Sequence, residues 1–63
     1  MMMTAMECYK ELESKLGAEE RVTPTITKRS CTEDGWTYDF LFYKGKLSKV
    51  EAHNHREFIE CYA

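Results

Sequence analysis

At 63 residues the chain holds one domain at most, and a domain of that size buries only ~60% of the surface its unfolded form exposes, so its core is thin. Nine Lys and Arg against eleven Asp and Glu leave a net charge of −2 with the signs interspersed, which weighs against a dedicated nucleic-acid binder, where a basic excess gathers on one face. No run approaches the ~20 apolar residues of a membrane span, and the N-terminus lacks the basic and apolar regions of a secretory leader. The expected setting is therefore cytoplasmic. Cys8, Cys31 and Cys61 fit that setting, being odd in number and too widely spaced for a disulfide framework.

Met1 to Met3 are expected to be disordered. Thr4-Ala5-Met6-Glu7 then matches a capping box, in which the hydroxyl takes the N3 amide and the carboxylate reaches back to the cap amide. Ala5, Cys8, Tyr9, Leu12 and Leu16 follow at helical spacing, while Glu7, Lys10, Glu11, Ser14 and Lys15 face away. This predicts a helix from Ala5 to Leu16, ended by Gly17 as a left-handed cap. Ala18 to Arg21 reads as a linker. Val22 to Cys31 is rich in threonine and β-branched residues, and Pro24 confines it to a sheet edge.

Trp36-Thr-Tyr-Asp-Phe-Leu-Phe-Tyr43 is the most apolar stretch. Its rings at Trp36, Tyr38, Phe40 and Phe42 repeat every second residue, which puts all of them on one face of a strand. Glu33-Asp34-Gly35 and Tyr43-Lys44-Gly45 read as three-residue turns with a bulge at glycine. The second turn would pair Phe42 with Lys46, Leu41 with Leu47, Phe40 with Ser48, Asp39 with Lys49, Tyr38 with Val50 and Trp36 with Ala52. A two-residue turn would set Phe40 opposite Lys49 on the core side, which disfavours it. The first turn would set Arg29 opposite Asp39 and leave Lys28 awkwardly beside Phe40. A third strand from about Lys46 to His53 ends at Asn54-His55-Arg56-Glu57, a second capping pattern, and Phe58, Ile59 and Tyr62 follow at helical spacing. The expected architecture is a single small α+β domain over residues 1–63: an N-terminal helix, a three-stranded antiparallel β-meander and a short C-terminal helix from His55 to Tyr62.

Cys31, His53, His55 and Cys61 are residue types that zinc prefers. Their spacing matches no zinc pattern, so small buried thiols and exposed imidazoles are the better reading, and no cofactor is expected. No phosphate-binding glycine loop, paired carboxylates or nucleophile constellation stands out, and none is expected in so small a domain. Sheet aromatics can stack on single-stranded bases, but here the rings share a face with the apolar positions a helix must cover.

The far side of the sheet remains. Leu41, Tyr43 and Leu47, with Arg29 and Lys49 beside them, resemble an interface core with a charged rim more than scattered surface residues. The expected function is that of a small non-enzymatic regulator or inhibitor that binds another protein through this outer face. The same face would serve first as a homodimer contact, because the core is thin. Viruses and mobile elements often encode proteins of this kind, an idea that rests on size alone. The alternatives are a small nucleic-acid-binding module using Lys44, Lys46, Lys49 and Tyr43, and a zinc-stabilised domain.

Overall fold

The computed structural model describes residues 4–63, so the expectation for Met1 to Met3 lies outside the described residues. Helix α1 (Ala5–Leu12) starts at a complete capping box. Thr4 Oγ1 accepts from the Glu7 amide at 3.2 Å, and Glu7 Oε1 accepts from the Thr4 amide at 2.9 Å. The Thr4 amide, and then its hydroxyl, hold the Glu7 carboxyl below its usual range. The helix is shorter than its apolar stripe predicts: it tightens into a 3-10 turn over Glu13–Lys15, and Leu16 is already extended. Gly17 is not a left-handed cap, since positive φ among the described residues occurs only at Asp34, Gly35, Lys44 and Gly45. Its amide instead donates to Ser30 O at 2.9 Å, so the chain leaves the helix by running alongside the sheet.

That sheet has five antiparallel strands in sequence order: β1 (Glu20–Arg21), β2 (Ile26–Glu33), β3 (Trp36–Tyr43), β4 (Lys46–His53) and β5 (Phe58–Tyr62). A three-stranded meander with a closing helix is therefore incorrect. The supposed linker supplies β1, and the supposed C-terminal helix is β5. Asn54 does act as a cap, its side-chain oxygen accepting from the amides of Arg56 and Glu57 at 2.7 and 2.8 Å. The Asn54 amide, however, donates to Glu57 O at 3.0 Å and closes a hairpin. Two turns of helix would have to pay their own nucleation cost, whereas β4 offers a ready row of backbone groups to pair with. Pro24 lies in the loop between β1 and β2, where Thr23 Oγ1 accepts from the Thr25 and Ile26 amides at 3.2 and 3.0 Å.

Both central turns have two residues, with positive φ at Asp34 and Gly35 and at Lys44 and Gly45, the signature of type I′ loops that match strand twist. The first sets Arg29 opposite Phe40 and Ser30 opposite Asp39, which removes the predicted clash of Lys28 with the core. The second pairs Tyr43 with Lys46 and Phe42 with Leu47, after which the register shifts and Leu41 faces Lys49 and Phe40 faces Val50. Ser48 is the extra residue of a bulge. It corrects the parity that made a two-residue turn look unacceptable.

The core lies on one side of the sheet. Ala5, Leu12, Phe40 and Val50 are buried, and Cys8, Tyr9, Leu16, Cys31, Tyr38, Phe42, Leu47 and Cys61 pack around them. Tyr9 meets Phe40 and Phe42 edge-on at ring separations of 5.7 and 5.6 Å. The period-two rings thus face the helix, with Trp36 half-buried at the end of its strand.

Two glycines separate backbone strain from space. A Cβ at Gly45 would meet nothing within 4 Å, but φ there is +83, so Gly45→Ala is expected to cost about 1–2 kcal/mol through backbone conformation alone. In a domain this small that lowers Tm by roughly 8–15 °C. A Cβ at Gly17 would sit 3.5 Å from Ser30 O with no positive φ, so Gly17→Ala is expected to leave the melting curve nearly unchanged. Thermal denaturation followed by circular dichroism checks both.

Candidate functional site

With the helix on one face, the other face of the sheet is open. Strand alternation puts Ile26, Lys28 and Ser30 of β2, Asp39, Leu41 and Tyr43 of β3, Lys49, Glu51 and His53 of β4, and Phe58, Glu60 and Tyr62 of β5 on that side. Its chemistry changes along the strands. At one end a groove of about 370 Å³ is lined by Val22, Ile26, Leu41 and Tyr43, with Lys49 and Glu51 at its polar margin. The bulge residue Ser48 also borders it. Val22 and Tyr43 are about half exposed.

Across the middle runs a row of like charges, Asp39 opposite Glu51 and Glu51 opposite Glu60. Directly facing carboxylates destabilise a sheet unless something offsets them. Lys49 does so on one side, its Nζ lying 3.0 Å from Glu51 and 2.9 Å from Glu60. The bond to Glu60, and then that to Glu51, raise the Lys49 ammonium pKa well above its ordinary value. Asp39, with its side chain only 18% exposed, is satisfied differently. Ser30 Oγ donates to its Oδ1 at 2.7 Å, and His53 Nε2 lies 3.0 Å from its Oδ2.

Beyond the row is an open concavity of about 450 Å³ bounded by Asp39, Glu51, His53, His55, Arg56 and Phe58. Serine, aspartate and histidine meet here, but in the wrong order for nucleophilic catalysis. The hydroxyl is spent on the carboxylate and not on the imidazole, so the imidazole is not placed to take its proton.

The expected contact residues divide between the two faces. Leu41, Tyr43 and Lys49 come together at the groove. Arg29 and Leu47 do not join them. Arg29 is on the helix side, where Nε donates to Gly17 O at 2.9 Å and Nη2 to Leu16 O at 3.4 Å, fastening the chain as it leaves the helix. Leu47 packs against the core. Both displacements follow from the register: the shorter turns move each residue by one position and hence to the opposite face. Val22 and Ile26 join the groove because Val22 to Cys31 is not one continuous strand: β2 begins at Ile26, after the Pro24 loop. The exposed rings of Phe58 and Tyr62 were hidden by the helical reading of β5. Phe58-Ile59-Glu60-Cys61-Tyr62 fits the strand period as well as the helical one.

The zinc candidates are also separated. Cys31 and Cys61 pack on the core, not on the outer face, whereas His53 faces Asp39 and His55 lies in the β4–β5 loop. Among the described residues no group of three or more His, Cys, Asp or Glu side chains could hold a metal ion. Burial pushes the Cys8 and Cys31 thiols up, away from the thiolate a reactive cysteine needs. No described helix is long and apolar enough to cross a membrane. No known family, curated protein or solved structure matches this chain.

The lysine between two carboxylates gives a pH-dependent prediction. Lys49→Met leaves Glu51 and Glu60 facing each other without a cation, so the variant should be less stable than the wild type at neutral pH. A lysine whose pKa is raised on folding stabilises the fold below its unfolded value and loses that contribution as pH rises through the folded one. The deficit should therefore narrow above about pH 10.5. Melting curves of both proteins across pH test this, and a deficit independent of pH would contradict it.

Proposed function

We propose that this protein works by binding another protein, as a small non-catalytic regulator or inhibitor, and that the partner seats an apolar side chain in the groove of Val22, Ile26, Leu41 and Tyr43. The observation that supports this reading is the one-sided cover of the sheet. The helix shields the Phe40 face, and the opposite face keeps an apolar groove beside the Lys49, Glu51 and Glu60 charges. An apolar centre with a charged margin suits a protein contact, in which the centre supplies affinity and the charges supply orientation. The order of Ser30, Asp39 and His53 favours binding over catalysis. The free thiols of Cys8, Cys31 and Cys61 suit a reducing compartment such as the cytosol.

Leu41 lies directly between Lys28 and Lys49 in the pairing, so an aspartate there has cations on both sides and the fold should tolerate it. Leu41→Asp is expected to keep the wild-type circular dichroism spectrum and to reduce partner capture at least tenfold. Parallel pull-downs from the native host with wild type and variant read the difference. Identical capture by the two proteins would remove the reading.

One feature favours a second reading. Tyr43, Phe58 and Tyr62 are exposed rings on the same face as Lys28, Lys44 and Lys49, the materials of a base-stacking surface. The carboxylate row through the middle opposes it by repelling phosphates. The protein-binding reading predicts no single-stranded DNA or RNA complex in gel shifts at about 50 and 200 mM salt, whereas a nucleic-acid binder would show a complex weakening steeply between them.

A further inference from the structure

The two edges of the sheet are built differently. β1 is two residues long, flanked by Glu19 and followed by a loop containing Pro24, devices that discourage another strand from pairing. β5 is five residues long, and four of its five residues are exposed. It carries no lysine, proline or bulge, and its one charge, Glu60, is already engaged by Lys49 at 2.9 Å. Lys46 and Lys49 are on β4, with which β5 pairs from Lys49 to His53.

The hydrogen-bond phase of this edge is fixed by two bonds. The Asn54 amide donates to Glu57 O at 3.0 Å, and the Ala63 amide donates to Ser48 O at 2.9 Å. Antiparallel ladders alternate, so Ile59 and Cys61 spend their backbone groups on β4. Phe58, Glu60 and Tyr62 aim theirs outward, where no described strand pairs with them. The same three residues direct side chains to the open face. Phe58 is stacked on His53 at a ring separation of 6.3 Å, and the Lys49 ammonium lies 5.7 Å from the Tyr62 ring. Phe58, Ile59 and Tyr62 remain 58%, 44% and 67% exposed.

We propose that β5 is a self-association edge, through which two copies of the chain pair antiparallel and join their sheets into one. The register with full overlap centres on Glu60. It sets Phe58 opposite the partner's Tyr62 on the open face and Ile59 opposite the partner's Cys61 on the helix side. Cross-strand aromatic pairs of this kind are favourable, and the outward groups of Phe58, Glu60 and Tyr62 form about six backbone bonds in all. A shift of two residues shortens the overlap and puts Glu60 against a ring. The facing glutamates cost energy, which the Lys49 of each copy offsets. A second copy fits better than an unrelated strand because this pattern is complementary to itself. With rings of ~200 Å², the exposed parts of Phe58, Ile59 and Tyr62 amount to roughly 600 Å² over two copies. That is below a standard interface of ~1,600 Å², so the association is weak and concentration-dependent.

Sedimentation velocity on the full chain over a dilution series tests this. Wild type should pass from one copy to two as concentration rises through the micromolar range. Phe58→Lys with Tyr62→Lys, which sets like charges opposite each other, should weaken association at least tenfold. Phe58→Lys with Tyr62→Glu, which sets opposite charges across the same register, should retain it. Circular dichroism confirms that each variant folds. A wild type that stays single-copy to millimolar concentration would overturn the proposal, as would association equal in wild type and the double-lysine variant, or lost equally in both double variants. Leu41→Asp, in the groove and off this edge, should associate like wild type, so the two surfaces stand or fall separately.

Discussion

Everything in this domain is arranged around the contact between α1 and the ring of Phe40. Phe40 is wholly buried, flanked in its sheet by Arg29 and Val50 and met edge-on by Tyr9 from the helix. Truncating such a ring costs ~3–5 kcal/mol, against a total stability of ~5–15 kcal/mol for a natural domain. Few other residues share that role, since among the described residues only Ala5, Leu12 and Val50 are comparably buried apolar groups. The rest of the core is half-covered, which is what a short chain can manage.

One helix cannot cover two faces. A helix of eight residues is about 12 Å long, enough to lie over the middle strands on one side only. The opposite face must therefore stay in water, meet a partner, or satisfy itself. It does the last in its middle, where Lys49 and His53 quiet a row of carboxylates that would otherwise repel. That arrangement holds the middle of the face together as a paired but still net-negative row, and leaves the unpaired apolar surface at the groove and along β5.

The inward-facing rings could be read from sequence because alternation over eight residues is a strong signal that local geometry obeys directly. The same holds for the capping box at Thr4 and for the outward positions of Leu41, Tyr43 and Lys49. The rest turns on one residue in the length of each central turn. Lys44 adopts positive φ, unusual for a lysine, because strand twist favours the two-residue loop. The parity error this creates is corrected by Ser48, and no propensity marks a bulge at a serine. Once the turns are shortened by one residue each, Arg29 and Leu47 move to the helix side and the contact surface read from the sequence is divided.

The C-terminal segment was ambiguous for a different reason. Asn54 caps amides whether the chain continues as a helix or turns back as a hairpin, and Phe58 to Tyr62 satisfies both periods. The deciding factor is outside the segment: β4 would otherwise be left as a bare edge. Adding β5 pairs that edge and covers Val50 with Cys61. It also relocates the problem to a strand with no lysine of its own, carrying exposed rings on one face and an isoleucine on the other. A sheet growing strand by strand in sequence order ends on an edge unless it closes into a barrel. In this chain one end is a two-residue strand beside a proline loop, and the other is ordered, unguarded and apolar. That asymmetry sets the direction in which the sheet is free to continue.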